Sequence, residues 1–190
     1  MKRINFIAAG VAAAGAFCAA PALAANLVLI NADPPGIGFN DPTPATPIGG
    51  NDGTTVGEQR LIAYQRALDL WGSLLASDVD VNIQGSFAGL PCTPTGGVLA
   101  QAGATFIFSD FLNAPLADTW YGSSVADAIS GTDLVAEFLG PGVPDIVANF
   151  NGDIGQPNCI AGPGWYYGLD NNPPPGATDF LNTFMHEVSH

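Results

Sequence analysis

The residues of this chain whose types and spacing can do chemistry are His186, Glu187 and His190, in the run His-Glu-Val-Ser-His at 186–190. On a helix, residues four apart lie one turn apart on the same face, so both imidazoles can reach one zinc ion at about 2.0–2.1 Å. Glu187 follows the first histidine and is placed to take a proton from a metal-activated water, as a general base. The pattern predicts Zn²⁺ as cofactor and peptide-bond hydrolysis without a covalent enzyme intermediate.

A third protein ligand is the open part of this prediction. Catalytic zinc sites use three protein ligands and one water, and the layouts built on this motif place the third after the second histidine. We therefore expect this chain to be the front part of a longer protein, with the third ligand beyond His190. The fragment itself would supply two of the three ligands. An upstream carboxylate, Asp179 or Asp153, is the weaker alternative.

A capped amphipathic helix is expected to present the motif. Thr178 and Asp179 are good N-cap residues, and they follow a loop rich in glycine and proline at 155–176. In that loop, Tyr166 and Tyr167 either line a substrate cleft or anchor the loop, and we favour the anchoring role. The helix that follows carries an apolar stripe suited to packing on a sheet, formed by Phe180, Leu181, Phe184, Met185 and Val188.

The preceding chain predicts a mixed α/β or α+β fold with a sheet and one long backing helix. Thr55 and Glu58 have capping-box spacing, and an apolar stripe of about five turns follows, with Arg60 and Arg66 expected off it. Prolines in 33–53 predict an ordered, irregular arm, with a flexible linker as the alternative. Strands are predicted at 27–30, 79–84, 104–108 and 146–150, and a short helix at 123–129.

The first 25 residues have the layout of a secretory signal peptide, with Lys2 and Arg3, an apolar run, and Ala22-Leu23-Ala24. Phe17 precedes Cys18 where a lipoprotein anchor needs a small residue, so no membrane anchoring is expected. We expect the mature protein to be secreted or periplasmic.

Cysteine and charge content narrow the classes of partner. Cys92 and Cys159 remain after cleavage and are expected to form a disulfide, because paired cysteines in exported chains are usually bridged.

The mature chain is strongly acidic, with two arginines, no lysine and 17 acidic residues. This charge argues against nucleic acid or an anionic membrane surface as partner. Asn51-Asp52-Gly53 and Asp170-Asn171-Asn172 are oxygen-rich but lack calcium-loop spacing, so we expect turns. The oligomeric state is not predicted.

Several segments resemble exported bacterial zinc peptidases of the zincin class, in particular metzincin-like proteins that sometimes carry a protease-associated domain. The resemblance covers most of the mature chain, and only the terminal motif is chemically specific. It implies a zincin-like N-terminal subdomain with a twisted mixed sheet, a backing helix carrying Trp71 and an active-site helix, with His186 and His190 as ligands and Glu187 as base. The segments that carry it are Gly38-Phe39-Asn40-Asp41, Gly53 to Arg60, Ala67 to Trp71, Thr119-Trp120-Tyr121, Trp165-Tyr166-Tyr167-Gly168 and the terminal motif.

The resulting organisation is a signal peptide at 1–25, a proline- and glycine-rich arm at 26–57, and a metallopeptidase catalytic domain at 58–190 that is incomplete at its C-terminus. The expected function is zinc-dependent hydrolysis of protein or peptide substrates by an exported metalloendopeptidase. The alternative is a non-catalytic exported binding or surface module with a vestigial motif.

Overall fold

A computed structural model of the chain describes residues 24–190. The predicted signal peptide, with Cys18, lies outside these residues except for its last two positions. Within the described part, no helix combines the length and the apolar character that crossing a bilayer would need.

Four helices and ten short strands make up the described part of the chain. The helices are α1 (Val56–Leu74), α2 (Ser123–Ser130), α3 (Leu134–Leu139) and α4 (Phe180–Glu187), with a 3-10 turn at Gly38–Asn40. The main sheet contains β1 (Leu27–Asn31), β2 (Val81–Ala88), β5 (Ala100–Ala104) and β8 (Ile146–Asn151). Three two-stranded pairs are formed by β3 (Cys92–Thr93) with β4 (Gly96–Gly97), β6 (Ile107–Phe108) with β7 (Tyr121–Gly122), and β9 (Trp165–Tyr166) with β10 (Thr178–Asp179).

The main sheet is mixed, in the order β1-β2-β8-β5. Strands β1, β2 and β8 are parallel, and β5 runs antiparallel to β8 at the edge. Helix α1 makes the crossover from β1 to β2. The coarse prediction of a mixed α+β fold with a mixed sheet is confirmed.

One face of the sheet forms the core with α1 and α4. In β2, Val81, Ile83, Gly85 and Phe87 are buried while the residues between them are half-buried, as the period-two pattern predicts, and the strand extends four residues further than expected. Glycine at position 85 is required for this packing, because a Cβ there would lie 2.9 Å from the Tyr64 ring of α1.

Helix α1 begins where the sequence predicts, because the capping box forms. The Glu58 amide donates to Thr55 Oγ1 at 3.1 Å, and the Thr55 amide donates to Glu58 Oε2 at 3.1 Å. Tyr64, Ala67 and Leu68 of the stripe are buried. The short helix expected at 123–129 is also confirmed, as α2.

Two details of the prediction are wrong. The strand expected at 104–108 is split: β5 ends at Ala104 and pairs with β8, whereas β6 begins at Ile107 and pairs with β7. Arg60, expected off the apolar stripe, is buried. Its Nε donates to the Tyr167 hydroxyl at 2.8 Å and its Nη1 donates to the Gly38 carbonyl at 2.8 Å, so the guanidinium satisfies polar groups inside the core.

The arm at 33–53 is ordered and irregular, held to the sheet and to α1 by buried side chains. Asp33 accepts hydrogen bonds from the amides of Phe39 at 2.8 Å and Phe87 at 2.9 Å. Asn51 Nδ2 donates to the carbonyls of Gln59 and Tyr167, both at 2.8 Å. The arm forms no regular sheet, so buried side chains such as Asp33 and Asn51 provide hydrogen bonds for backbone groups in and around it.

The disulfide between Cys92 and Cys159 is confirmed, with the Cα atoms 5.0 Å apart. It joins β3 to the loop after β8, and the Ile160 amide donates to the Thr93 carbonyl at 2.8 Å beside it. A bridge of this kind indicates a compartment that is not reducing.

Candidate metal centre on the last helix

The orientation of α4 is fixed by its N-cap and its aromatic face. Asp179 Oδ1 accepts from the Asn182 amide at 2.8 Å, which caps the helix. Phe180 and Phe184 are fully buried; the Phe184 ring lies 4.3 Å from the Tyr64 ring between centroids. Because each residue of a helix turns by about 100°, His186 faces away from this core, and it is exposed.

The loop before α4 is anchored by its tyrosines. The Tyr166 hydroxyl donates to Asp170 Oδ1 at 2.6 Å, and this hydrogen bond raises the pKa of Tyr166 to about 12. Burial raises the pKa of Tyr167 to about 12. Both rings are buried, as anchors are. The Asp170 and Asn51 side chains each accept a hydrogen bond from the amide two residues later, which is the turn geometry expected for these segments.

The helix ends before the second histidine, yet the two imidazoles meet. Helix α4 stops at Glu187, and the chain continues in a tighter turn, in which the Ser189 amide donates to the His186 carbonyl at 3.1 Å and the His190 amide to the Glu187 carbonyl at 3.2 Å. This turn brings His190 beneath His186, with the two Nε2 atoms 3.2 Å apart and the ring planes at 83°.

The spacing of the two nitrogens fits a shared zinc ion. Two nitrogens bound at about 2.0–2.1 Å to a tetrahedral zinc lie roughly 3.3 Å apart, against the 3.2 Å between His186 Nε2 and His190 Nε2. Neutral imidazole is also a donor that zinc prefers. Two metal-free imidazoles that share one proton have a similar separation, and the zinc content of the protein distinguishes the two states.

Glu187 lies between the ligand candidates and is half-buried. Among the described residues, its carboxylate does not join the two imidazoles in a group of three convergent ligands.

The upstream carboxylates do not complete the pair. Asp179 caps the other end of α4, seven residues before His186 and so about 10 Å away along the axis. Asp153 follows the far end of β8, whose first residue, Ile146, lines the same cavity as His190. At about 3.3 Å per residue, the two ends of β8 lie roughly 16 Å apart. Within residues 24–190, no carboxylate joins the two histidines in a group of convergent ligands.

An apolar cavity of about 380 Å³ opens beside His190. Its walls include Trp71 and Leu75 from the end of α1, Val125 from α2, and Val188. His190 thus borders an apolar depression.

Sequence analysis missed a second set of convergent ligands. Carboxylate oxygens of Asp127, Asp133 and Asp145 all lie within 4.8 Å of one another. The one signal in the sequence is Asp127, which interrupts the otherwise apolar helix segment Val125-Ala126-Asp127-Ala128-Ile129. Its partners come from later segments of the chain, so spacing does not reveal them.

Comparison of the chain with known protein families, curated proteins and solved structures finds no match. The zincin resemblance therefore stays a prediction based on the residues quoted for it.

Proposed function

We propose that this chain belongs to an exported zinc metallopeptidase that hydrolyses protein or peptide substrates. The observation that carries the proposal is the 3.2 Å separation of His186 Nε2 and His190 Nε2, on either side of Glu187 in the chain. The packing of α4 against the aromatic core also supports the proposal, because metal ligands function best on elements whose orientation is fixed.

The roles of the chain's own residues follow from this placement. His186 and His190 would hold the metal through their Nε2 atoms. A bound zinc supplies Lewis acidity, which lowers the pKa of a water toward about 7 and stabilises negative charge on the scissile carbonyl oxygen. Glu187 accepts a proton from the attacking water and returns it to the leaving amine, which completes the hydrolysis without a covalent enzyme intermediate.

Export is part of the same proposal. The signal-peptide layout at 1–25 supports it, and so does the disulfide between Cys92 and Cys159, because such bridges persist in oxidising compartments.

The test uses the product of the complete gene, since a third ligand has to join the pair. We expect about one zinc per chain and hydrolysis of labelled casein. Glu187→Gln should keep the zinc and lose activity by about 10²–10⁴-fold, as expected for removal of a general base. His186→Ala should lose both zinc and activity.

Glu137→Gln is the matched control, because it is the same substitution at an exposed glutamate of α3. It should change neither zinc content nor rate. A complete gene product that binds no zinc, or a Glu187→Gln variant as active as Glu137→Gln, would refute the peptidase proposal. Either result would favour the rival hypothesis of a non-catalytic exported binding or surface module.

A further inference from the structure

Three aspartates converge at the place where α2, α3 and β8 meet. Asp127 lies on α2, Asp133 is the N-cap of α3, and Asp145 directly precedes β8. Asp127 and Asp145 are each only 1% exposed, whereas Asp133 is half-buried. One oxygen of each carboxylate lies within 4.8 Å of the others.

Each carboxylate is held in place by a backbone amide through one oxygen. Asp127 Oδ1 accepts from Leu134 N at 2.9 Å, Asp133 Oδ1 accepts from Ala136 N at 2.7 Å, and Asp145 Oδ2 accepts from Asn82 N at 2.7 Å. These three bonds orient the carboxylates and leave one oxygen of each for another partner.

Two of the remaining oxygens are buried without a partner. Within the described part of the chain, Asp127 Oδ2 and Asp145 Oδ1 accept no hydrogen bond. The neighbouring Thr105, whose amide donates to the Asp145 carbonyl at 2.8 Å, also has a buried hydroxyl without a partner. Burying unpaired charge is costly, so native proteins compensate it with a counter-charge, a proton or a metal.

The chain has very few basic side chains that could neutralise the aspartate cluster. After residue 3 its only Lys or Arg residues are Arg60 and Arg66. Arg60 is engaged with Asp41, Gly38 and Tyr167, and Arg66 is exposed on α1. Neutralisation of the cluster must therefore come from solution.

We propose that Asp127, Asp133 and Asp145 form a calcium-binding site, separate from the histidine pair. Calcium prefers carboxylate oxygens at about 2.3–2.6 Å, so two of its ligands can lie up to roughly 5 Å apart, and the three carboxylates each offer an oxygen within 4.8 Å of the others. Zinc favours nitrogen and sulfur donors. Magnesium usually keeps several waters and binds proteins through one or two carboxylates, so a set of three carboxylates favours calcium. Asp133 leaves the site open to solvent on one side, which gives the ion a path of entry.

The ion would tie α2 and the start of α3 to the sheet. Helix α2 also lines the cavity beside His190 through Val125 and Ile129. Calcium therefore stabilises one wall of that cavity without contacting the histidines. The competing occupant is a proton shared between Asp127 and Asp145, since burial raises the pKa of both and the two carboxyl groups are close enough to form a hydrogen bond when one is protonated.

The test is calcium titration by calorimetry of the protein freed from divalent ions at pH 7.5, together with thermal melts. We expect one saturable site, with the weak affinity typical of extracellular modules, about 10⁻⁴–10⁻³ M. Calcium at 100 times the dissociation constant should raise the Tm by about 5–10 °C for a chain of this size. Magnesium at the same concentration should give a smaller shift.

Three variants distinguish a cation site from a proton-sharing carboxyl pair. Asp127→Asn and Asp145→Asn should remove the calcium response while leaving the calcium-free protein as stable as the wild type or more so, because a buried charge is gone. Asp133→Asn should abolish the response with little risk to folding, because asparagine is also a good N-cap. Asp80→Asn, at an exposed aspartate outside the cluster, is the matched control and should respond as the wild type does.

The absence of saturable calcium binding up to 10 mM would overturn the proposal in favour of a shared proton. So would a calcium response that survives in Asp127→Asn or Asp133→Asn. His186→Ala should leave the calcium response unchanged, which keeps the outcome independent of the proposed peptidase function.

Discussion

Replacement of the buried Arg60 by methionine is the sharpest test of how this fold is held together. Methionine keeps the apolar stem and removes the guanidinium, which donates to the Tyr167 hydroxyl and the Gly38 carbonyl at 2.8 Å each. The guanidinium also lies 3.6 Å from the Asp41 carboxylate and 4.1 Å from the centre of the Phe87 ring. Arg60 therefore connects the arm, α1, the sheet and the loop before α4.

The expected cost follows from these contacts. A hydrogen bond from a charged donor contributes about 1.5–3 kcal/mol, and a buried carbonyl left without a donor costs about 1–3 kcal/mol. The ion pair with Asp41 is partly exposed and adds at most about 1 kcal/mol. Because these effects overlap, we expect Arg60→Met to lower the free energy of unfolding by about 3–5 kcal/mol, or the Tm by about 6–20 °C.

Urea denaturation followed by tryptophan fluorescence measures this change. Arg66→Met is the matched control, since it is the same substitution on the exposed side of the same helix, where a change within about 0.5 kcal/mol is expected. A result for Arg60→Met within 1 kcal/mol of Arg66→Met would refute the assignment of Arg60 as a core connector.

Three further predictions concern the cap, the disulfide and pH. Asp179→Ala removes the N-cap of α4 and should cost about 1 kcal/mol, seen as a lower Tm and as weaker zinc binding by the complete gene product. Replacing Cys92 and Cys159 together by serine should lower the free energy of unfolding by about 4 kcal/mol in urea titration, since the bridge closes a loop of 67 residues. Burial raises the pKa of Tyr167 to about 12, so its contribution to stability is complete below about pH 10 and is lost as the pH rises toward 12. Tyr167→Phe should therefore lose less stability than the wild type between pH 10 and 12 in denaturation measurements.

Elements with strong local signals could be predicted from the sequence. The capping box of Thr55 and Glu58 marks the start of α1, and the alternation of Val79, Val81 and Ile83 with polar residues marks the first part of β2. Strand β5 could not be found this way, because its Ala-Gln-Ala-Gly-Ala sequence has weak strand propensity and its conformation depends on pairing with β8.

In the candidate site, too, contacts between residues close in sequence could be predicted, and contacts between distant residues could not. His186, Glu187 and His190 are close in sequence, so their spacing alone predicts the meeting of the imidazoles. Arg60 and Asp127 find their partners far along the chain, Arg60 at Tyr167 and Asp127 at Asp145. No local pattern encodes such contacts. The sequence consequently predicts Arg60 off the apolar stripe, and it does not predict the aspartate cluster.

The strand order has a consequence for the time course of folding. Strand β8 lies between β2 and β5, although both of its neighbours precede it in the chain. Its insertion is a non-local event, and such pairings form slowly. Phe150, which β8 supplies, is the residue on which Phe180 and Phe184 of α4 pack. The histidine pair can therefore reach its final orientation only after the sheet has closed, so the zinc binding proposed for this pair would follow folding of the chain rather than initiate it.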